Sequence, residues 1–508
     1  MARRGSRLAA LLLAGVLAAA PVPGTELGEA RKLAAARQFA PALELYDRLV
    51  AAEPDDDELA IERARVLGYA DRNAAAADAW RDIAERFPAR RTEVLPAWAW
   101  QTLWAGDETA AVPLFEEALV LSTADPHERF GLAQALNYSG RHRAAAGEFA
   151  TLLPSTDAAL LLHAARAHYW AAFSDQAEPL LAGTTLPVAQ WLRDYRIGRE
   201  LRPYVSGDFE FADDSDELRI VAASTAAGWR LTGHDTLELS LRSAWLDGPD
   251  TRMPLPAPGS ADGQQFLLTW STRRGDIEPG GAVIWPSLSV GWRDYGEWRS
   301  FAWRARARIV PRDGITLTAS AGNGPVETIG AIRNRIEYTE AALGAELRPH
   351  PRWLIAAGAT RLDFDGGNTR NQATLRAEYL AHPPLRLRLG IDGLQFSNDR
   401  PTGPARPDQG YWNPDRYREL RLYTSLSVER GAWSFDARLA TGWYDERSGW
   451  GDRSSGALLA AEAAAGCDLS PALRLRLYAG AADSGSGFGG GGRGYRRVYG
   501  GIGLTGYF

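Results

Sequence analysis

Hydrophobic and polar positions follow two different periods along the chain, and the period changes near Pro203. Before this residue, Ala and Leu recur at helical spacing between charged residues. After it, apolar and polar residues alternate one by one. Helical spacing gathers apolar side chains on one side of a helix, whereas strict alternation places successive side chains on opposite faces of a strand. The sequence therefore predicts an α-helical first part and a β-stranded second part.

The helical part repeats with a period of about 34 residues, and each copy carries an aromatic residue preceded by alanine four positions earlier. The predicted repeat core is Ala42 with Tyr46, Ala76 with Trp80, Ala111 with Phe115, and Ala145 with Phe149. The small residue lets two helices approach closely, and the aromatic side chain fills the groove of the next repeat. The pattern resembles the tetratricopeptide repeat, with a degenerate fifth copy over 160–181. An irregular helical bundle is the alternative.

In the second part, Leu, Ile, Val and Trp occupy one face of each predicted strand, while Arg, Glu, Asp and Ser occupy the other. One example alternates Ala305 and Ala307 with Arg304, Arg306 and Arg308. Burying so many charges in the dry core of a soluble β-sandwich would cost too much free energy. An apolar exterior around a wet interior accommodates both faces, so the pattern favours an antiparallel transmembrane β-barrel. We count about sixteen strands, with about fourteen as the alternative.

Both chain ends agree with export to a bacterial outer membrane. The last strand stops on an aromatic residue, Phe508, and resembles the closing strand of an outer-membrane barrel. The first 24 residues resemble a secretory signal peptide, in which arginines precede the apolar run 8–20 and cleavage is expected after Gly24. The predicted domains are the signal peptide at 1–24, a periplasmic helical-repeat domain at 25–200 and a barrel at 201–508.

The composition argues against several other classes of function. The net charge of -6 provides no general attraction to nucleic acid. The seven histidines include no H-E-x-x-H spacing, and the glycine-rich stretch 485–494 lacks the G-K-[ST] ending of a phosphate-binding loop. We therefore predict no catalytic, cofactor-binding or metal site, and a protein that is not an enzyme.

The polar faces of the predicted strands supply candidate residues for a substrate path. These lumen candidates are Arg304, Arg306, Arg308, Arg386, Arg388, Arg421, Tyr423, Arg438, Tyr444, Arg474, Arg476 and Tyr478. Two interpretations of the arginines stand: a basic stripe for an anionic polymer or small anions, or wall supports paired with Asp and Glu of neighbouring strands. The tyrosines either offer stacking faces to sugar rings or belong to the packing of the barrel.

Two short motifs resemble those of exopolysaccharide export porins of the bacterial outer membrane. Residues 396–400 read F-S-N-D-R, and residues 410–417 read G-Y-W-N-P-D-R-Y just before a strand. Together with the signal peptide, repeats and barrel, they make the chain similar to poly-N-acetylglucosamine porins, YaiO-like proteins and the C-terminal barrels of cellulose-secretion proteins. The helical array, with four or five repeats, is much shorter than that of the poly-N-acetylglucosamine porin.

The resemblance implies a porin that lies in outer-membrane lipid and exports an exopolysaccharide of a biofilm. It also implies that periplasmic repeats recruit the polymer, or a polysaccharide-modifying enzyme, to the inner mouth of the barrel. A passive outer-membrane porin whose repeats act as a docking scaffold is the alternative. A barrel enzyme acting on lipid or polysaccharide is a third hypothesis.

Overall fold

The computed structural model describes residues 26–121, 125–250, 257–278, 280–296, 298–404, 406, 408–483 and 495–508. The predicted signal peptide at 1–24 and the glycine-rich stretch 485–494 lie outside these described residues. The chain divides into two units, residues 1–156 and residues 157–508. Among the described residues, no helix is both long and apolar enough to cross a membrane.

The first unit consists of helices that pack against their neighbours in chain order. They are α1 (Glu26–Ala35), α2 (Phe39–Ala52), α3 (Asp57–Tyr69), α4 (Asn73–Arg86), α5 (Arg91–Trp104), α6 (Glu108–Leu121), α7 (Pro126–Tyr138) and α8 (His142–Ala150). The predicted repeat-core residues all lie on the second helix of a pair, and each is at most 3% exposed. Alanine at the helix crossing and an aromatic residue one turn later thus form the core of each repeat.

Each helical pair turns through a residue in the left-handed region of backbone conformation. Arg37 has φ 59°, Asp71 has φ 57°, Gly106 has φ 85° and Gly140 has φ 84°. These residues lie at the turns expected from the repeat. The left-handed residue closes the first helix of each pair and directs the chain into the second.

The second unit begins with four short helices and continues into the strands. The helices are α9 (Ala158–Trp170), α10 (Ser174–Leu181), α11 (Pro187–Leu192) and α12 (Gly198–Leu201), with a π-helical turn over Arg193–Ile197 between the last two. Helices α9 and α10 pair like the earlier repeats, and Ala177 is fully buried between them. The change from helix to strand falls between Leu201 and Tyr204.

Sixteen antiparallel strands close into a barrel in which each strand pairs with its chain neighbours and β1 pairs with β16. The first eight are β1 (Tyr204–Asp214), β2 (Arg219–Arg230), β3 (Thr236–Asp250), β4 (Ala257–Ser271), β5 (Val283–Asp294), β6 (Arg299–Arg312), β7 (Ile315–Pro325) and β8 (Glu337–His350). The others are β9 (Trp353–Phe364), β10 (Thr369–His382), β11 (Leu387–Asn398), β12 (Arg416–Arg430), β13 (Trp433–Arg447), β14 (Arg453–Ser470), β15 (Leu473–Ala482) and β16 (Arg497–Tyr507). The predicted fold class, helical repeats followed by a sixteen-stranded barrel, is confirmed.

The outer surface of the barrel carries leucines between two belts of aromatic side chains. One belt contains Trp229, Trp270, Trp353 and Trp433, and the other contains Trp245, Trp292, Phe301 and Trp443, all between 39% and 61% exposed. On β13 the two belts are about ten residues apart, roughly 34 Å along the strand, and a tilt of about 40° reduces this to roughly 26 Å of height. This height matches the apolar band of a membrane barrel, so the strands span a bilayer.

The two ends of the barrel differ in the length of their connections. We call the end at which the chain enters β1 the entry end, and the opposite end the far end. Turns of two residues, such as 351–352, 431–432 and 471–472, occur at the entry end, which also has one longer connection, 272–282. The far end carries the long connections 326–336 and 399–415. The sequence also predicts a long loop over 247–263, but β3 extends to Asp250 and β4 starts at Ala257, because the two segments pair with each other.

Candidate functional site

Side chains that bridge over an intervening strand identify the inner face of the barrel. Arg438 of β13 donates a hydrogen bond to Asp392 of β11 across β12, and Tyr423 of β12 donates to Glu378 of β10 across β11 at 2.7 Å. Side chains of alternate strands meet in this way on the concave side of a sheet. The strand register then places the polar residues of the alternating pattern on the lumen side and the leucines on the outside.

Four lumen arginines of β10 to β13 are paired with acidic residues: Arg376, Arg388, Arg421 and Arg438. Asp392 accepts a hydrogen bond from Arg376 Nε at 2.8 Å in addition to its bond from Arg438. Arg388 Nε lies 3.6 Å from Glu378 Oε2. Arg421 donates to Glu419 of its own strand. In this sector the arginines brace the wall, as one of the two interpretations of the sequence predicts.

One predicted lumen residue, Arg386, does not lie on a strand. It follows the 3₁₀ turn Pro383–Leu385 with φ 45°, and β11 begins only at Leu387. The expectation that it faces the lumen from a strand is therefore wrong, because the two prolines end the ladder of β10 and the chain turns before it pairs again. Its Nη1 donates instead to Glu429 Oε1 at the entry end, at 3.2 Å.

Lumen tyrosines cover glycines of the neighbouring strand. In each register pair, a Cβ added to the glycine would lie within 3.0 Å of the tyrosine ring or hydroxyl, so the ring occupies the space above the glycine. The pairs are Tyr204 with Gly228, Tyr338 with Gly324, Tyr423 with Gly390, Tyr444 with Gly456, Tyr478 with Gly501 and Tyr499 with Gly480. Tyr423 and Tyr444 are only 5% exposed and form part of the wall, whereas Tyr478 is half-buried.

The arginines of β15 form a third arrangement. Arg474 Nη2 donates to Ser434 Oγ at 3.2 Å, and its Nε lies 3.9 Å from Asp468 Oδ1. Arg476 lies 5.5 Å from the centre of the Tyr478 ring, whose hydroxyl donates to Glu210 Oε1 at 3.1 Å. These contacts leave the arginines of β15 more loosely held than those of β10 to β13.

Arg304, Arg306 and Arg308 follow one another on the lumen face of β6. Their register partners on β5 are Ser289, Ser287 and Trp285, and those on β7 are Gly322, Ser320 and Thr318. Arg308 lies 4.8 Å from the centre of the Trp285 ring. Within the described part of the chain, none of the three arginines forms a salt bridge.

A short hairpin from the connection between β7 and β8 crosses the far end of the lumen. It contains α13 (Ile329–Arg333), which begins after Thr328. Ile329 and Ile332 pack against the lumen faces of β2 and β3, where Ala222 and Leu246 are buried. On its other side, Ala331 joins Phe364 of β9 and Tyr411 in a second apolar cluster. The hairpin thus touches two separate parts of the wall.

Polar contacts fix this hairpin on both sides. Arg333 Nη1 donates to Asp250 Oδ2 at the end of β3, and Arg242 of β3 donates to Glu327. Trp298 Nε1 donates to the carbonyl oxygen of Ile332 at 2.9 Å. Gly410 of the long connection 399–415 lies against the backbone of Gly330, where a Cβ at Gly410 would come within 2.3 Å of a carbonyl carbon.

The two motifs that carry the family resemblance meet at the same end of the barrel. Phe396 stacks on Tyr417 with ring centres 5.3 Å apart, and Trp412 packs edge-on against both rings. Arg370 lies 4.3 Å from the centre of the Phe396 ring, and its Nη2 donates to the carbonyl oxygen of Trp412 at 2.7 Å. Asn398 Nδ2 donates to the carbonyl oxygen of Pro414 at 2.6 Å. The motif residues therefore fold the long connection onto the lumen wall.

At the entry end, the short helices bind barrel turns on both sides of the seam between β1 and β16. Both Nη atoms of Arg273, after β4, donate to the carboxylate of Asp175 in α10. Arg199 of α12 donates to Asp468 and to the carbonyl oxygens of Ser470 and Pro471 in the turn between β14 and β15. Arg196 of the π-helical turn donates to Glu429 Oε2 at 3.1 Å.

Burial and charge have opposing effects on the ionisation of Asp175. Burial alone would raise the pKa of this carboxyl group, but hydrogen bonds and the charge of Arg273 lower the pKa below its usual value. The sequence offers no periodic signal for this anchor, nor for the hairpin that contains α13. Both were missed because they depend on contacts between segments about 80 to 270 residues apart.

The described residues hold no group of three His, Cys, Asp or Glu side chains that could bind a metal ion. Charged groups, hydroxyl groups and tyrosine rings line the lumen, and a folded hairpin lies across its far end.

No protein-family model matches the chain, and no curated protein matches it. It is similar to a solved structure described as a bacterial polysaccharide outer membrane secretin, with 11% identity and a TM-score of 0.47 over 61% of this chain and 99% of that one. It is also similar to YrrB, a TPR protein with an unusual peptide-binding site, with 16% identity and a TM-score of 0.28 over 31% of this chain and 81% of YrrB. A tetratricopeptide repeat protein from Parabacteroides merdae is 13% identical, with a TM-score of 0.29 over 34% of this chain and 69% of that one.

Proposed function

We propose that this protein is an outer-membrane porin that exports an exopolysaccharide through its barrel lumen. The observation that carries the proposal is a closed sixteen-stranded barrel with an apolar outside and a charged, hydroxylated inside, joined in one chain to helical repeats. A polar lumen lets sugar hydroxyl groups exchange water for side-chain partners at little net cost. Solvent-exposed contacts are individually weak, so they do not stall a moving polymer.

The lengths of the connections support the orientation that we propose. Outer-membrane barrels have short periplasmic turns and longer extracellular loops. The two-residue turns lie at the entry end, where the helices also attach, so the entry end faces the periplasm. We further propose that the helical repeats within 25–200 recruit the polymer, or an enzyme that modifies it, and raise its concentration at the mouth by tethering. In this proposal the protein itself has no catalytic role.

The hairpin containing α13 gives the export model a closed state. It crosses the far end of the lumen, which is extracellular in this orientation. Polymer passage then requires the hairpin to release its contacts with β2 and β3.

The experiment is a complementation assay of secreted carbohydrate in a strain that lacks the gene. The full chain should restore secretion. A variant that joins 1–24 directly to 157–508 keeps the helices that hold the barrel turns, yet lacks the first unit, and should restore it poorly. Equal amounts of folded barrel in the outer membrane, judged by heat-dependent migration in gels, provide the control.

Two outcomes would contradict the proposal. Normal secretion in the deletion strain would remove the export role and favour a passive porin. Full restoration by the variant that lacks residues 25–156 would remove the recruiting role alone.

A further inference from the structure

Charged residues are unevenly distributed around the lumen wall. Among the described residues, the lumen-facing positions of β4 to β7 carry Arg293, Arg304, Arg306 and Arg308 but no aspartate or glutamate. Arg293 is held in place, because its Nε donates to Gln265 at 2.9 Å and its Nη2 to the carbonyl oxygen of Asn323 at 2.8 Å. The other three arginines form the feature that we call the basic ladder: Arg304, Arg306 and Arg308.

The basic ladder is open to water and flanked by hydroxyl groups. Arg306 and Arg308 are exposed and Arg304 is half-buried. No salt bridge joins any of the three to another residue that the structure describes. Four of the six flanking lumen positions carry hydroxyl groups, namely Ser287, Ser289, Thr318 and Ser320, and the other two are Trp285 and Gly322.

The part of the wall formed by β10 to β13 shows what a paired set looks like in the same barrel. There Arg376 and Arg438 share the carboxylate of Asp392, and Arg438 lies 3.9 Å from the centre of the Tyr423 ring. Bracing the wall therefore accounts for those arginines, but it does not account for the ladder. Three guanidinium groups without carboxylate partners create a positive potential along one side of a confined aqueous path.

We propose that the basic ladder binds the anionic groups of an acidic polysaccharide as it passes through the lumen. This inference rests on the proposed export function and names the substrate class. Guanidinium groups match the geometry of carboxylate, sulfate and phosphate groups, while the flanking serines and threonines suit sugar hydroxyl groups. At the ladder, a cationic polymer would meet groups of like charge.

The spacing and exposure of the ladder suit a polymer that must keep moving. Alternate residues of a strand are roughly 7 Å apart, so successive anionic groups can pass from one arginine to the next. Because the ladder faces water, each ion pair is weak and screened by salt, so it attracts the chain without trapping it. The ladder runs toward the entry end, which a polymer arriving from the periplasm would meet first.

The test compares three pentasaccharides of equal length for binding to the detergent-purified full chain, by titration calorimetry at low and high salt. The probes are oligogalacturonate, which is anionic, cellopentaose, which is neutral, and chitosan pentamer, which is cationic. Oligogalacturonate should bind about tenfold more tightly than cellopentaose at low salt, the combined effect of three exposed ion pairs, and this preference should vanish at high salt.

Variants then assign the preference to the ladder. The triple change R304Q/R306Q/R308Q should abolish the preference, and R304K/R306K/R308K should largely retain it because the charge remains. The control is Arg361→Gln, because Arg361 lies on the outside of β9 and is already paired with Asp363. Equal binding of oligogalacturonate and cellopentaose, preference for chitosan, or an unchanged preference in the glutamine variant would each overturn the proposal.

The binding test and the secretion assay can fail independently of each other. Selective oligogalacturonate binding together with normal carbohydrate secretion by the deletion strain would remove the export role and leave the anion specificity standing. Impaired secretion together with equal binding of neutral and anionic probes would do the reverse.

Discussion

Asp175 and Arg273 form a two-pronged salt bridge, with Nη1 2.7 Å from Oδ1 and Nη2 2.8 Å from Oδ2. Their side chains are 19% and 10% exposed, and the guanidinium carbon lies 3.9 Å from the centre of the Phe173 ring. A largely buried, bidentate pair is stronger than an exposed one, and removal of one partner leaves a buried charge without compensation. This pair anchors α10 to the turn after β4.

We expect Asp175→Asn to destabilise the attachment of α10 by about 3 kcal/mol, because Arg273 would keep its burial and lose its counter-ion. Hydrogen exchange of residues 174–181 measures the effect. Asp78→Asn is the matched control, because Asp78 forms an exposed pair with Arg81 in α4. This change should lower the stability of α4 by less than about 0.5 kcal/mol.

A double-mutant cycle separates the pair from its surroundings. Arg273→Gln should add little to Asp175→Asn, because the two side chains act on each other. Effects that simply add would show that the pair contributes no coupling energy and would contradict the prediction.

Acidification should weaken the helical segment α9–α10 before it affects this salt bridge. Burial, assisted by the charge of Arg166, lowers the pKa of His163 to about 4, and burial also lowers the pKa of His168. Below the usual histidine pKa of about 6.5, the unfolded segment binds protons that the folded one does not, so stability falls as pH drops from about 6.5 to about 4. Asp175, with its lowered pKa, loses its contribution only below the usual aspartate value of about 3.9.

Hydrogen exchange of residues 158–181 between pH 7 and pH 4 measures this window. His163→Gln should flatten the pH dependence, and the double variant with His168→Gln should flatten it further. A wild-type protein with equal protection at both pH values would contradict the assignment.

Alternation along the strands separates an apolar face from a polar face, but it does not predict the partners of the polar residues. Arg376 and Arg306 look alike in the sequence, each one polar position of a period-two pattern. Register places Arg376 opposite Asp392, whereas Arg306 lies between Ser287 and Ser320. Pairing therefore depends on which residues of other strands come alongside, and local sequence does not contain that information.

Local turn chemistry and distant packing set the other limits of prediction. Arg386 fits a strand pattern by period, yet Pro383 and Pro384 impose a turn before β11. Conversely, the repeat core was visible because its signal is local: Ala111 and Phe115 recur four residues apart, copy after copy. The hairpin with α13 has five helical residues and no repeat, so only the assembled barrel wall reveals where it sits.

Two helical glycines of the first unit should respond oppositely to alanine. At Gly131 of α7, a Cβ would lie 2.3 Å from the buried Phe115 ring, whereas at Gly68 of α3 it would meet only the flexible end of Gln101. Alanine gains up to about 1 kcal/mol of helix propensity at either position. At Gly131, overpacking of about 1 to 3 kcal/mol outweighs that gain.

Thermal unfolding of the helical signal in the two variants checks this difference. Gly131→Ala should lower the midpoint, and Gly68→Ala should leave it unchanged or raise it. The prediction fails if Gly131→Ala is as stable as Gly68→Ala, because the Phe115 ring would then have room to move.

The hairpin across the far end should control the conductance of the barrel. Ile332 of α13 is 3% exposed and packs on the apolar lumen faces of β2 and β3. Ile332→Asp would bury a carboxylate in this apolar contact. Burying it costs several kcal/mol, so the substitution favours release of the hairpin. Single-channel recordings in planar bilayers should then show larger or more frequent openings than the wild type.

A disulfide that holds the hairpin against the wall tests the same contact in the opposite direction. Gly259 of β4 approaches Ile329 so closely that a Cβ there would lie 2.9 Å from Cγ2 of Ile329. With Cys467 replaced by serine, the pair Gly259→Cys and Ile329→Cys should lock the hairpin and reduce openings until a reductant is added. Trp450→Ser, in the exposed connection 448–452 at the same end, is the control and should leave the recordings unchanged. Ile332→Asp and the disulfide act on the same contact in opposite directions. If neither change alters the conductance, the hairpin is a fixed part of the wall rather than a movable closure.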